Sequence, residues 1–400
     1  MTYFISPEYQ ESKAGLPEQE ESDKRPVDPP HVFLKKLEGI SEAFRTELLS
    51  LNEAVPAPHT SPGGALARDK WPNNITRPDL LRQAEEIWRV SRKCGLAFLE
   101  ASPTALSFLA RPEFRQWAAL GRVILDADTE DAELCRAYFQ ISPYLIKNTA
   151  FNFVPAWVDQ NLIIASLSSK TALAFFRSTP AFLDVDRAFN LKRWAEKARQ
   201  ILDTGKGCEA AAIAFIETSP RIVQKFTFKE LLYWGGIGMK IAAISPDSAL
   251  TYFSEPSEAM DSLYNIEIRK FLDLISALVD EALERAMDFY ERCPEDLVAL
   301  NPKIREQVLD VSRDLADENT GHIIDVFSEI VVSLRPLFFP MQEKVMEKGI
   351  AVSKLSLPAS RAFFKGMGLV LSEIPDAFLS HWVDKGMACL AESEQAGIDY

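Results

Sequence analysis

Glycine is scarce in this chain, with 17 among 400 residues. The two places where it clusters do not form a nucleotide loop. In Gly235-Gly236-Ile237-Gly238-Met239-Lys240-Ile241 the last position of a G-x-G-x-x-G pattern is Ile241, and no strand signal precedes the run. It reads as small residues that let two helices approach closely. Gly205-Lys206-Gly207 lacks the spacing of a Walker A loop and reads as a turn. Histidine is scarcer still: His31, His59, His322 and His381 lie far apart, with no Cys, Ser or second His at useful spacing. Neither a nucleophilic triad nor a histidine metal site follows from them. The five cysteines, Cys94, Cys135, Cys208, Cys293 and Cys389, contain no C-x-x-C pair and are odd in number. A disulfide framework and a zinc site are both unexpected, and a reducing cytoplasm fits. The acidic run Asp126-Ala127-Asp128-Thr129-Glu130-Asp131 lacks the glycine and the distal glutamate of a calcium loop. The reading therefore names no catalytic, cofactor-binding or metal-binding residue.

Other signals are missing too. Met1-Thr2-Tyr3-Phe4-Ile5-Ser6-Pro7 has neither a basic n-region nor an apolar stretch, so no signal peptide is read. No window reaches the roughly 18 uninterrupted apolar residues of a membrane span. Positive charge is lacking in the second half. From Asp247 onward there are 28 acidic and 14 basic residues, a net of −14. Subtracting these from the totals of 58 and 44 leaves 30 of each sign before Asp247, hence no net charge. Such a surface repels phosphates, which argues against nucleic acid and anionic membranes as partners. It suits a basic protein surface, or serves solubility alone. The carboxylates Asp280, Glu281, Glu284, Asp288 and Glu291 fall at helical spacing and read as a solvated face.

What the chain has in quantity is apolar and aromatic residues, 47% and 10%. Phenylalanine (25) far exceeds tyrosine (9), so most rings carry no polar edge and belong in a core. Residues 1–31 are rich in Glu, Pro, Ser, Lys and Asp and read as a disordered tail. Over 32–55, Phe33, Leu37, Ile40, Phe44 and Leu48 recur every three or four residues, which predicts an amphipathic helix. Residues 56–78, with Pro56, Pro58, Pro62, Gly63, Gly64 and Pro72, read as a linker. A helical-repeat domain is expected over 79–400.

The repeat shows as an aromatic residue or pair followed by proline. Phe98 to Ser102-Pro103, Tyr138-Phe139 to Ser142-Pro143 and Phe175-Phe176 to Thr179-Pro180 are three instances. Phe215 to Ser219-Pro220, Tyr252-Phe253 to Glu255-Pro256 and Phe289-Tyr290 to Cys293-Pro294 follow. Those prolines stand 40, 37, 40, 36 and 38 residues apart. Trp117, Trp157, Trp194 and Trp234 keep the same beat at 40, 37 and 40, and Trp382 lies 148 residues on, four periods of 37. The markers blur over 295–360 and return at Phe363-Phe364. Each unit reads as a first helix bearing the tryptophan, a polar turn, and an Ala-rich second helix bearing the aromatics. The second helix is expected to end just before Ser-Pro or Thr-Pro, which then opens a short third helix or the next unit. The fold class expected is all-α: an α-solenoid of about seven to eight hairpin repeats of ~38 residues, HEAT/armadillo-like. The last unit, from Trp382, breaks off within its second helix at Asp399-Tyr400, so the chain reads as the front part of a longer protein.

The unit of tryptophan, turn, Ala-rich helix with Phe-Phe or Tyr-Phe, and Ser-Pro resembles a helical region that precedes the von Willebrand factor A (VWA) domain in large bacterial NorD-like and CoxE-like proteins. The resemblance covers about residues 80 to 400 and implies work with a MoxR-type AAA+ ATPase in metalloenzyme maturation. The A domain's own metal motif is missing: Asp310-Val311-Ser312-Arg313-Asp314 fails the Asp-x-Ser-x-Ser pattern at its last position. The function expected is a non-enzymatic protein-interaction scaffold. The alternatives are an enzyme with its site in the groove of the array, or an acidic module that binds basic peptides.

Overall fold

The computed structural model describes residues 77–127, 132–186, 190–254, 256, 258–316, 322–373 and 376–399. The tail, helix and linker expected over 1–76 lie outside the described residues. Contacts divide the chain into two compact units, Met1–Glu85 and Glu86–Tyr400. Of the first, only the start of helix α1 (Arg77–Val90) is described, beginning two residues ahead of the expected boundary at 79.

The second unit is helical throughout its described residues. After α1 come α2 (Arg92–Leu106), α3 (Arg111–Ala127), α4 (Glu133–Asn148), α5 (Phe153–Ala165) and α6 (Ser169–Leu183). Then follow α7 (Leu191–Asp203), α8 (Glu209–Lys225), α9 (Phe228–Ile244) and α10 (Pro246–Ser254), with a 3₁₀ turn at Glu258–Ser262. The rest are α11 (Asn265–Glu281), α12 (Leu283–Val298), α13 (Pro302–Leu315), α14 (Ile323–Leu334), α15 (Phe339–Ser353), α16 (Leu357–Glu373), α17 (Asp376–Glu392) and α18 (Glu394–Asp399). From α2 onward each helix packs against the next helix but one, and within each hairpin against its neighbour. Two layers result: the odd-numbered helices from α3 to α17, and the even-numbered from α2 to α18. One hairpin cannot enclose its apolar faces, but stacked hairpins share one continuous core.

The tryptophans occupy the odd layer, on α3, α5, α7 and α9, and all four are fully buried. Trp117, Trp157 and Trp234 lie between rings of two units, while Trp194 meets Phe175 and Phe182, both of α6. Trp117 stacks on Phe98 of the preceding helix (centroids 5.3 Å apart) and meets Phe139 of its own unit edge-on at 5.2 Å. Trp234 repeats this with Phe215 at 5.8 Å and Phe253 at 4.9 Å. Trp157 stacks on Tyr138 and touches Phe176. The beat of 37 also runs through the stretch where the markers blurred. Counting on from Trp234 it lands on Phe271, Val308 and Val345, all buried, on α11, α13 and α15, before reaching Trp382 on α17.

The expected helix ends need correction. Pro103, Pro143, Pro180, Pro220 and Pro294 lie inside α2, α4, α6, α8 and α12, and no third helix opens there. The hydroxyl before the proline points backward instead of capping forward. Ser102 Oγ donates to the Phe98 carbonyl (2.6 Å), Thr179 Oγ1 to Phe175 (2.6 Å) and Ser219 Oγ to Phe215 (2.5 Å). An interior proline costs about 3 kcal/mol in an isolated helix. Here the turn beyond it is held by buried side chains, such as Leu145 and Ile146 in α4 or Ile222 and Val223 in α8. Tertiary packing outweighs the local preference. Only α10 ends as expected, at Ser254, where Glu255 replaces the small hydroxyl residue before Pro256.

In two units the hydroxyl before the proline receives the tryptophan. Trp117 Nε1 donates to Ser142 Oγ (2.7 Å) and Trp157 Nε1 to Thr179 Oγ1 (3.1 Å). In these two units the two markers of the repeat are one contact, whereas the buried Trp194 Nε1 has no hydrogen-bond partner. In the unit with Glu255, Trp234 Nε1 donates to the Tyr290 hydroxyl instead (3.2 Å).

The helix starts follow ordinary capping rules. Ser168 caps α6 through Thr171 N, and Thr227 with Glu230 forms a capping box on α9. The Gly205-Lys206-Gly207 turn needs its second glycine, whose φ is +93°.

Two substitutions test the packing. On Gly121, which bears the Phe139 ring, an added Cβ would stand inside that ring's contact surface; at Gly236 it would meet nothing. Gly121→Ala should therefore destabilise by about 1 to 3 kcal/mol through overpacking. Gly236→Ala should stabilise by up to about 1 kcal/mol through helix propensity. Trp117→Ala should cost about 3 to 5 kcal/mol. Urea titration followed by circular dichroism reads all three, and equal effects at both glycines would refute the register drawn here.

Candidate functional site

The residues singled out from the sequence do not converge. His31, His59 and Asp128 to Asp131 lie outside the described residues. His322 stands at the start of α14 and His381 on α17, both exposed. Cys94, Cys135, Cys208 and Cys293 are buried and unbridged. Burial pushes the Cys208 and Cys293 thiols up, away from thiolate character. Among the described residues, no group of three or more His, Cys, Asp or Glu is placed to hold a metal ion. The Gly235–Gly238 run lies within α9 as expected for close packing: Gly235 faces Phe215 and Lys197, and Gly238 bears the Phe253 ring.

Several titratable groups are shifted, and burial leads each shift. It raises Asp159 on α5 and Asp296 on α12, and it lowers Lys197 on α7. Tyr252 and Tyr290 are raised far above the usual phenol range by burial. They remain protonated and act as donors: Tyr290 to the Tyr252 carbonyl (3.1 Å) and Tyr252 to the Trp234 carbonyl (3.4 Å). The three rings form a hydrogen-bonded knot across two units. Glu267 is buried at the start of α11, where it accepts from Tyr264 N at 2.7 Å. Burial raises its pKa, against the pull of the Tyr264 amide and of Arg305. Arg305 is buried too, donating to the Leu300 and Val298 carbonyls and so closing the end of α12.

What does repeat is a ladder of ion pairs between units. Lys93 reaches Glu133, Lys170 reaches Glu209, Lys240 reaches Asp280 and Arg285 reaches Asp325, the last two at 3.0 and 2.9 Å. Lys303 meets Glu343, and Lys270 meets both Glu306 and Asp310 at 2.6 Å. Burial would lower Lys270, but Asp310 and Glu306 outweigh it and raise its pKa. In all of these the base lies on the earlier unit and the acid on the later. Tyr144 to Asp184 and Tyr233 to Asp273 extend the ladder with phenols, and Arg269 lies 4.2 Å over the Tyr233 ring.

Not every acid in the second half is spent this way. Glu284, Asp288, Glu291 and Glu295 recur at intervals of 4, 3 and 4 on α12 and are all exposed, one acidic face. Glu281, at the end of α11, is exposed as well, next to the ladder acid Asp280. Arg292 pairs with Asp288 along the same helix. Apolar surface is exposed near the starts of odd-layer helices: Tyr264 and Ile266 at α11, Phe338 and Phe339 at α15, and Phe378 at α17. A cavity of about 170 Å³ lies between α15, α16, α17 and α18, lined by apolar residues. No helix among the described residues is long and apolar enough to cross a membrane.

Compared with protein-family models, with curated proteins and with solved structures, the chain matches none.

Glu267 gives a pH test. Its carboxyl is raised in the folded state, so its contribution to stability is present below the unfolded value of 4.5 and is lost as pH rises through the folded value. Glu267→Gln keeps an acceptor for Tyr264 N without the charge. The variant should be more stable than the parent at pH 7 and lose that advantage as the pH falls below the ordinary carboxylate range. Denaturation midpoints across pH 3 to 8 read this; a constant difference would remove the charge from the explanation.

Proposed function

We propose that this chain is a protein-interaction scaffold whose 247–400 surface receives a basic segment of another protein. The observation that carries the reading is the exposed acidic face of α12, in the part of the chain with a net charge of −14. Stacked helical units of the HEAT/armadillo-like solenoid kind present long surfaces of this sort to protein partners. Exposed aromatics at the starts of α11 and α15 offer apolar anchors in the same part of the chain. The resemblance to the region ahead of the VWA domain suggests a partner class, a MoxR-type AAA+ ATPase, and a role in metalloenzyme maturation.

The test is an affinity measured against salt. The full chain is immobilised, a partner is captured from source cells and identified, and its Kd is followed from about 50 to about 500 mM salt. Binding should weaken about tenfold or more across that range, because exposed ion pairs are screened. Glu284→Lys with Glu291→Lys should weaken binding at low salt while leaving the fold intact. A partner bound equally well at both ends of the range would leave the acidic half as a solubility feature alone.

A further inference from the structure

The lysines of the ladder find their acids 36 to 40 residues further on: Lys170 at Glu209, Lys240 at Asp280, Lys270 at Glu306 and Asp310, Lys303 at Glu343. Lys197, on α7, reaches forward in the same way and finds none. The residues of α9 at that separation are Tyr233, Trp234, Gly235, Gly236 and Ile237. The lysine stem lies on Gly235, where an added Cβ would stand 2.9 Å from Lys197 Cγ and 3.3 Å from its Cδ. At Gly236 an added Cβ would meet nothing, so open space stands where other rungs hold a carboxylate.

Among the described residues the half-buried Lys197 has no hydrogen bond and no ion pair. Glu196, its neighbour in sequence, is held by Arg199 at 2.7 Å. Helices α5, α8 and α9 pack on α7, and their acids are engaged or turned elsewhere. Asp159 of α5 is raised by burial, with no cation drawing it down. Glu209 of α8 is bonded to Ser168 and Lys170, and Glu217 is exposed. Glu230 of α9 is spent on its capping box, and Tyr233 is bonded to Asp273. Burial therefore lowers the Lys197 pKa, against the weaker pull of Glu196. A lysine so placed holds more free amine than an exposed one at the same pH, and the free amine is the nucleophile.

We propose that Lys197 is an acylation site, modified at Nζ by acyl thioesters. The Nζ lone pair attacks the thioester carbonyl. A C–N bond forms as the C–S bond breaks, and the proton lost from nitrogen leaves with the thiol. The product is a neutral amide. An aldehyde would give an imine, which takes up a proton and returns a charge to the half-buried position, so the site favours acyl donors. Removing this charge breaks no rung, whereas acylating Lys240 or Lys270 would break one. The site is independent of the acidic-surface reading, since α7 lies ahead of residue 247.

The experiment incubates the full chain with acetyl-coenzyme A at about pH 7.5 and follows each lysine by peptide mass spectrometry. Lys197 should react at least about threefold faster than the exposed Lys225 and the paired Lys240. In concentrated urea the three rates should converge. Gly236→Glu puts an acid in the open position and should bring Lys197 down to the rate of Lys225. Gly236→Ala adds the stub without the charge and should leave the rate unchanged. Should Gly236→Glu fail to fold, the pH profile of the parent chain serves in its place: the Lys197 rate should level off at a lower pH than that of an exposed lysine. A Lys197 rate no higher than that of Lys225, or the same levelling for both, would overturn the site. A fast Lys197 that Gly236→Glu does not slow would overturn the missing acid as its cause.

Discussion

The indoles of Trp117, Trp157 and Trp234 lie between a ring of the unit before and a ring of their own unit, and this wedge sets the distance between those units. Trp117 between Phe98 and Phe139 shows it, and Trp234 between Phe215 and Phe253 repeats it. For Trp117 and Trp157 the indole N–H finds its acceptor inside the core at the hydroxyl before the proline, while that of Trp194 stays without one. That demand keeps a small Ser or Thr at a position where the helix itself would do better without it. It also holds the proline-containing turn against the core. Where Glu255 breaks the pattern, α10 shortens, and the indole turns to Tyr290 of the next unit.

Charge is arranged along the same lattice. Each exposed ion pair of the ladder is worth roughly 0.2 to 1 kcal/mol, too little to hold the array together. In most rungs a base on one unit faces an acid on the next, while Arg122–Glu86, Arg177–Glu133, Arg335–Asp296 and Arg361–Glu329 run the other way. Lys270, with two acids at 2.6 Å, is the strongest rung. The second half carries more acid than base, and α12 shows part of the excess to solvent.

Much of this was legible from residue types alone. Tryptophans and aromatic pairs are rare enough that a shared spacing stands out, and they mark the two layers correctly. Other features carried no such label. Val308 and Val345 hold the tryptophan's place, yet valine is too common in helical cores to signal a beat. The Ser-Pro and Thr-Pro pairs followed a sound local rule and were misread, because the hydroxyl bonds backward and packing carries the helix on through Pro143, Pro180 and Pro220. The glycine run in α9 was read as close packing and is close packing. The cavity beside Gly386 is a property of what neighbours leave unfilled, which no single residue type encodes. Of the carboxylates that the spacing marks as a solvated face, Glu284, Asp288 and Glu291 lie exposed on α12, and Asp280 and Glu281 lie exposed at the end of α11.

The spacing has a consequence for how the chain folds. Contacts between units join residues at nearly one separation: 36 for Lys270 and Glu306, 40 for Lys240 and Asp280, 41 for Ser168 and Glu209. The entropy lost in closing a loop grows only with the logarithm of its length, so every junction costs about the same to form. No pairing waits for a distant one. The order of assembly is then decided by local stability, and the ring-rich units from Trp117 to Trp234 are the natural place for structure to begin. The units built on Val308 and Val345 bury smaller side chains at the junction. They are the part of the array where transient opening costs least, and where a hydrogen-exchange experiment would find amides released in blocks about one unit long.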